Sequence, residues 1–466
     1  MTTFVGTRGS NTLKGTLSVD NIYGDTSRTL NVGRGGNDKI YGFGGNDKLF
    51  GDAKTISYSG IGGNDYLYGD LGTGDAGRDY IYGDAFTMLR YARGGNDAIR
   101  GNEERDALYG DAYTLRDYAR GGVDIIHGDN GYDVVVGDAA YMWKATRGGN
   151  DKLYGNDGRD TLIGDATQMH DRAIGGDDYL NGGLMDDDLR GDAYSMDGYT
   201  RGGNDKLYTG TSLEGNERLC GDAIVMKSHA TGGADILHAE AAIQATTYGD
   251  AVLMSEFTRG GADLIYMGDA HLFASGPAYG DALKMSGQAQ GGDDRIFGSA
   301  APMCGDAETM SDHTVGGHDI LTGAAGQEIL IGDAYEGLDF AAGGNDVLNG
   351  GGGFDTLYGD FKIVSGTNVV GGNDTLNGGA SDDSLTGGGG ADRFVFAKGD
   401  GKDTITDFSH AQTDKIDLLA YGFKTFADLK IHDNAAGNAE IVLATDATIT
   451  LTGVKTAQLV ASDFLL

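Results

Sequence analysis

Thr146 to Arg172 reads TRGGNDKLYGNDGRDTLIGDATQMHDR, one period of a 27-residue repeat that runs through most of the chain. It divides into three nonapeptides, TRGGNDKLY, GNDGRDTLI and GDATQMHDR. The first two follow G-G-x-G-x-D-x-U-x, with U a large apolar residue; the third keeps the length but has Met169 where the Asp belongs. Within each nonapeptide Gly supplies the turn, and strand alternation sends U inward and its neighbours outward. A repeat this short buries its apolar face only by stacking on its copies. One period therefore predicts one coil of an all-β, right-handed parallel β-solenoid. An 18-residue, two-sided coil would stack unlike nonapeptides, whereas a three-sided coil stacks like on like, so three sides are expected. A two-sided roll whose third nonapeptide forms a lateral arm is the alternative.

Periods begin near Gly6, Gly33, Gly60, Ala92, Ala119, Thr146, Ala173, Thr200, Ala230, Thr258, Ala289, Thr314 and Ala341, with a partial one at Val369. That is about thirteen coils, or roughly 60 Å of solenoid at strand spacing. The solenoid is expected over 1–386. Residues 387–466 trade Gly for Phe, Ile and Val and read as a β-rich C-terminal cap over an otherwise open sheet edge.

The Asp residues fall in columns. The first holds Asp38, Asp65, Asp97, Asp124, Asp151, Asp178, Asp205, Asp235, Asp263, Asp294, Asp319, Asp346 and Asp374, and Asp392 follows in GGGGADRF. The second holds Asp47, Asp79, Asp106, Asp133, Asp160, Asp187, Asp355 and Asp383. It loses its Asp between Thr209 and Cys304, where its segments depart from nine residues and where both prolines, Pro277 and Pro302, fall. A five-residue insertion near Gly69 to Tyr82 lies at the same corner. The third column reads G-D-A-x-x-M, with an Asp row through Asp138 and Asp165 and a Met row through Met142 and Met169.

The chain has 84 Gly in 466 residues and a net charge of −35, from 70 acidic and 35 basic residues. That charge excludes nucleic acid as a partner and disfavours anionic membranes. Carboxylates stacked at strand spacing repel by about 1 kcal/mol per pair even in water. Divalent cations relieve this, and about 17 of them (35/2) would cancel the formal charge. Gly-rich turns turn backbone carbonyls inward, and Asp carboxylates of adjacent coils complete an oxygen cage that suits Ca2+ better than Mg2+. The 22 Asp of the first two columns and Asp392 are the candidate ligands; the competing reading is that they only stabilise turns.

The third-column Asp row has three readings: capping turns, pairing with arginines such as Arg34, Arg93, Arg120, Arg147, Arg201 and Arg259, or supplying further ligands. The Met row is expected to fill core, and Tyr41, Tyr68, Tyr154, Tyr208 and Tyr266 to form cross-strand ladders rather than a sugar-stacking stripe. The stretch Met267 to Tyr279 is the best place for a specific contact. Cys220 and Cys304 are expected in different coils roughly 14 Å apart, too far for a disulfide. No apolar run spans a membrane, and MTTFVGTRGS has neither the charged nor the apolar region of a Sec-type signal peptide. H-E-x-x-H, G-x-S-x-G and P-loop signatures are absent and the nine His lack metal spacing, so the chain is not expected to be an enzyme.

Residues 6–386, as in YGFGGNDKLFGD from Tyr41 to Asp52, resemble an RTX (hemolysin-type) calcium-binding β-roll repeat protein. The tail GADRFVF…DTITDF…DKIDL resembles the C-terminal segment of serralysin-type RTX proteins, and Asp463-Phe464-Leu465-Leu466 resembles their uncleaved secretion signal. The resemblance implies ligand roles for the Asp of the first two columns and export by type I secretion machinery. It implies a chain that leaves a low-calcium cytosol unfolded and folds outside, secreted or at the cell surface. The 27-residue period and the Met-bearing third column depart from the family, and no protease, lipase or pore-forming domain accompanies the repeats. Two functional readings follow: a calcium-stiffened structural or matrix protein that self-associates in a surface-layer-like manner, and an adhesin or glycan-binding module using its Tyr, Arg or irregular-corner surfaces.

Overall fold

The computed structural model describes residues 1–70, 77–211, 216–239, 244–268 and 276–466. It divides into two compact units, Met1–Ala245 with Asp250–Val252, and Thr246–Gly249 with Leu253–Leu466. Together they carry about thirteen coils.

In the first unit each coil has three short strands, as expected. For the period quoted above they are Lys152–Gly158, Thr161–Ile163 and Ala166–Asp171. Each pairs in parallel with its copy one period on, Leu153 with Leu180, Leu162 with Leu189 and Met169 with Met196. The inward rows of the first two strands, including Leu153, Leu162, Leu180 and Leu189, are fully buried. Each such side chain contributes about 1.5–3 kcal/mol before chain entropy is counted. Insertions at the corner between first and second strands leave this register intact: Leu49 faces Ile81, and Leu189 faces Leu219.

The three strands do not enclose one triangular core. Gly149 N–H donates to both carboxylate oxygens of Asp138, at 3.0 and 3.1 Å, and Gly176 N–H donates to Asp165 at 2.9 Å. The third nonapeptide therefore leaves the coil and returns to it through one narrow neck, forming a lobe. At the lobe tip the chain reverses through a left-handed residue, Arg90 (φ 67°), Asp117 (67°), Lys144 (70°) and Asp171 (64°) in successive coils. The lobe has its own core of Ala139, Met142 and Thr146, all fully buried. In the groove between lobe and roll, Tyr23, Phe50, Tyr82 and Tyr109 stack at 4.7, 5.1 and 5.2 Å. Their rings face away from the Leu rows and pack on Tyr113 and Tyr141. The architecture thus joins the three-stranded coil to the lateral arm held as its alternative.

The second unit repeats the pattern. Leu321 faces Leu348, Leu330 faces Leu357, and Ala307 faces Ala334. Gly317 and Gly344 close its necks on Asp306 and Asp333 at 2.7 and 2.6 Å. Pro277 and Pro302 sit where only their carbonyls are needed, accepting from Thr247 and Ala278 N–H at 3.1 and 3.0 Å. A left-handed Glu256 (φ 67°) stands at a lobe tip. Glu256→Gly removes the Cβ clash of that conformation and is expected to add about 0.5–1 kcal/mol, measured as a higher denaturation midpoint at fixed calcium.

The third sheet ends at Ile363–Val364. The second sheet continues through Lys402–Ile405 to Thr448–Leu451, then turns antiparallel through Ala439–Val442 and Lys430–Asp433. The first sheet continues through Arg393–Val395 and Lys415–Asp417 to Phe464–Leu465. The β-rich segment expected after 386 is thus built onto the coils of its own unit, with Phe394 and Phe396 in its core.

Candidate metal centre

Each candidate Asp stands two residues before an inward apolar side chain, as Asp151 does before Leu153 and Asp160 before Leu162. That spacing puts it in the last position of the turn, facing the next coil. All 22 candidates are at most 3% exposed. Along the first column Asp124 N–H donates to Asp151 Oδ1 at 2.7 Å, and Asp151 N–H to Asp178 Oδ1 at 2.6 Å. Along the second, Asp133 N–H donates to Asp160 Oδ1 at 2.8 Å, and Asp160 N–H to Asp187 Oδ1 at 2.7 Å. The same link joins Asp38 to Asp65, Asp319 to Asp346, Asp355 to Asp383 and Asp374 to Asp392. One carboxylate oxygen is thereby used by the ladder.

The other oxygen is left over. Among the described residues, Oδ2 of Asp65, Asp97, Asp124, Asp151, Asp178 and Asp205 is buried and receives no hydrogen bond. So is Oδ2 of Asp47, Asp79, Asp106, Asp133, Asp160 and Asp187, and of Asp319, Asp346, Asp355, Asp374, Asp383 and Asp392. Buried polar atoms are nearly always partnered, so a row of bare carboxylate oxygens marks places for a cation. Backbone carbonyls converge on the same places. A Cβ built on Gly137 would lie 1.7 Å from Gly164 O and 2.4 Å from Asp151 Oδ2; one on Gly155 would lie 2.2 Å from Gly182 O and 2.6 Å from Asp160 Oδ2. Only Gly lets the neighbouring coil bring these oxygens so close. The donor set is all oxygen, part charged and part carbonyl, and it fits Ca2+ in kind.

Burial shapes the electrostatics. It lifts the carboxyls of Asp160, Asp133, Asp187 and Asp106 to about 6, 7, 8 and 9. Burial, aided by the charge of Asp52, lifts Asp65 to about 10, and desolvation pushes Asp151 and Asp178 well above the usual carboxylate range. Hydrogen bonds from the ladder N–H groups oppose this without cancelling it. The ionised form needs a counter-charge, and none of these aspartates makes an ion pair with Lys or Arg among the described residues.

The second column is more complete than its Asp pattern suggested. Glu217 and Glu328 hold the position beside Asp187 and Asp355, buried to 1%, each with an oxygen that receives no hydrogen bond. Asp20 heads the same column through Asp47, Asp403 extends it from Asp383, and Asp414 extends the first from Asp392. An acidic residue two positions before the inward side chain, as in Glu217-Arg218-Leu219 and Asp403-Thr404-Ile405, is the signal that a search for Asp after G-x-G overlooked.

The third-column aspartates cap the necks, and the arginines proposed as their partners are exposed on the outside of the coils. The Met row is buried in the lobes, as expected of core. Tyr41 stacks on Tyr68 at 5.1 Å, and Tyr154 and Tyr208 lie within 5.8 Å of His127, Tyr179 or His238, so these rings form cross-strand ladders. Cys220 and Cys304 are free and buried. Most of the irregular stretch Met267 to Tyr279, and part of the insertion between Gly69 and Tyr82, lie outside the described residues.

The RTX calcium-binding nonapeptide repeat model matches residues 2–27, 32–53, 91–112, 118–140, 146–167, 340–361 and 370–403. Six stretches between these are skipped: 28–31, 113–117, 141–145 and 362–369 lie on third-nonapeptide lobes, while 54–90 and 168–339 include whole coils. A search of curated proteins found no match.

Proposed function

We propose that this chain, seven segments of which match the RTX calcium-binding nonapeptide repeat, is a secreted, non-enzymatic structural protein that folds by loading Ca2+ outside the cell. The ligands in this reading are the Asp of the first two columns with Asp392, and Glu217 and Glu328 add to the second, which has Ala245, Gly276 and Ala301 at the same position in three further coils. The observation that carries it is the row of buried carboxylate oxygens that receive no hydrogen bond. In a low-calcium compartment those carboxylates have no counter-charge, which disfavours folding and keeps the chain open for type I export. At millimolar calcium, each site held at ten times its Kd adds ~1.4 kcal/mol, and many sites add together. Asp463–Leu466, the proposed export signal, belongs to the first sheet through Phe464 and Ile416, so folding withdraws it from a receptor. No helix among the described residues is long and apolar enough to cross a membrane.

Limited proteolysis with light scattering tests the reading. The chain is expected to be cut throughout at submicromolar calcium, to resist at millimolar calcium, and to gain no protection from the same concentration of Mg2+. Growth in particle size with calcium identifies a self-associating scaffold. Protection in EGTA equal to that in calcium would end the proposal. An adhesin or glycan binder is favoured by one observation, the outward stack of Tyr91 on Tyr118 at 5.3 Å with 66% and 56% exposure. Saturable glycan-array binding that Tyr118→Ala abolishes would support that alternative.

A further inference from the structure

The nonapeptide pattern gives the roll one acidic ligand per turn, but the necks hold more. Asp52 stands at the start of a lobe, fully buried; its Oδ2 accepts from Gly63 N–H at 2.7 Å, and its Oδ1 is buried and receives no hydrogen bond. Asp65 Oδ2, from the first column, is equally bare. A carboxylate oxygen from each of Asp52, Asp65 and Asp84 lies within 4.8 Å of the others. A Cβ built on Gly51 would lie 1.6 Å from Gly83 O and 2.1 Å from Asp65 Oδ2, so a backbone carbonyl joins the same cluster. Further along the chain, a Cβ on Gly148 would lie 1.6 Å from Asp165 Oδ1 and 2.4 Å from Asp138 Oδ2, which brings two successive third-column carboxylates to one glycine.

Capping a glycine N–H does not require a charge, since Asn would do it. Yet every coil from Asp25 to Asp360 carries Asp at this place, whereas the exposed turn position beside it varies as Asn37, Val123, Asp177 and His318. We propose that the third-column aspartates are themselves Ca2+ ligands. Each neck is then a cation site with two carboxylates per coil, distinct from the opposite corner with one. Two carboxylates per coil balance one Ca2+ per coil, so the neck is a neutral line of ions and the tighter of the two. The lobe gains a purpose from this: by opening the turn, it lets a second acidic side chain in beside the first. This inference rests on the calcium reading above.

Bound Ca2+, counted by equilibrium dialysis of the full-length chain, tests it for wild type, Asp165→Asn and Asp160→Asn. Asp165→Asn keeps an oxygen for Gly176 N–H but loses the charged ligand. It is expected to bind about one Ca2+ fewer, or to bind it roughly tenfold more weakly, with an unchanged far-UV spectrum at saturating calcium. Asp160→Asn, in the second column, reports on the sites of the proposed function. Full binding by Asp165→Asn with a deficit in Asp160→Asn would overturn the neck ligands and leave the calcium reading standing. No Ca2+ on wild type would overturn both. If Asp165→Asn does not fold, Asp25→Asn in the first neck carries the same comparison, as Gly36 N–H reaches both oxygens of Asp25 at 3.3 and 3.1 Å.

Discussion

Gly164→Ala is expected to unfold the coils around it or to raise the calcium needed to fold them severalfold. The new Cβ would lie 1.7 Å from Gly191 O and 2.1 Å from Asp178 Oδ2. Neither atom can retreat: the first is backbone held in the ladder by its neighbours, and the second is a proposed ligand. The strand spacing of about 4.8 Å fixes how far adjacent coils can part, so the strain spreads into both. A cost of about 3 kcal/mol or more is expected, at the upper end for overpacking. Gly9→Ala is the control, since a Cβ there meets nothing within 4 Å; it should shift stability by no more than about 0.5 kcal/mol. Denaturant midpoints at fixed calcium measure both. Equal midpoints for the two variants would show that the close coil-to-coil approach at Gly164 is not required.

The metal-free chain should fold in acid and unfold as the pH rises, the reverse of ordinary acid denaturation. Asp133, Asp187, Asp106 and Asp65 have folded carboxyls lifted by burial to about 7, 8, 9 and 10. In the unfolded chain they titrate near 3.9. Over that interval the folded form binds more protons, so its stability falls as pH rises. The stability from these groups is therefore fully present below about pH 4 and is lost as pH climbs through 7 to 10. The charge of −35 pushes the same way, since self-repulsion fades near the isoelectric point of 4.3. Calcium reverses the dependence at neutral pH by displacing the protons, so binding should release acid in weakly buffered solution. Far-UV circular dichroism in EGTA from pH 4 to 9 tests this. A β-signal that strengthens with pH in EGTA would contradict it.

Much of this was legible before any coordinates. The 27-residue period gave the coil, because Leu153, Leu180 and Leu207 can share a row only if each period makes one full turn. The Asp columns were visible for the same reason. The neck was not, because it depends on a contact between Asp138 and Gly149, across ten residues whose own pattern, A-x-x-M, reads as a third side. Two sides and a lobe give the same periodicity as three sides; only the hydrogen bond that closes the neck separates them. Glu217 escaped because the segment it belongs to, Thr209 to Cys220, runs to twelve residues, while the count back from Leu219 survives; Glu328 keeps the nine-residue spacing and escaped only because it is Glu where Asp was sought. The third-column Asp row was seen but divided between turn capping, arginine pairing and metal. Full burial removes the arginine reading, since Arg120, Arg147 and Arg201 stay outside.

The central claim is that calcium, not apolar burial alone, holds the coils together. Calcium titration of the purified full-length chain at neutral pH, followed by far-UV circular dichroism with bound ions counted in parallel, tests it most directly. The account predicts little β-structure in EGTA, and a cooperative rise in β-signal that tracks the uptake of many ions per chain. A chain fully β-structured in EGTA, with no ion bound and no change on adding millimolar calcium, would contradict it and leave the aspartate rows as turn formers.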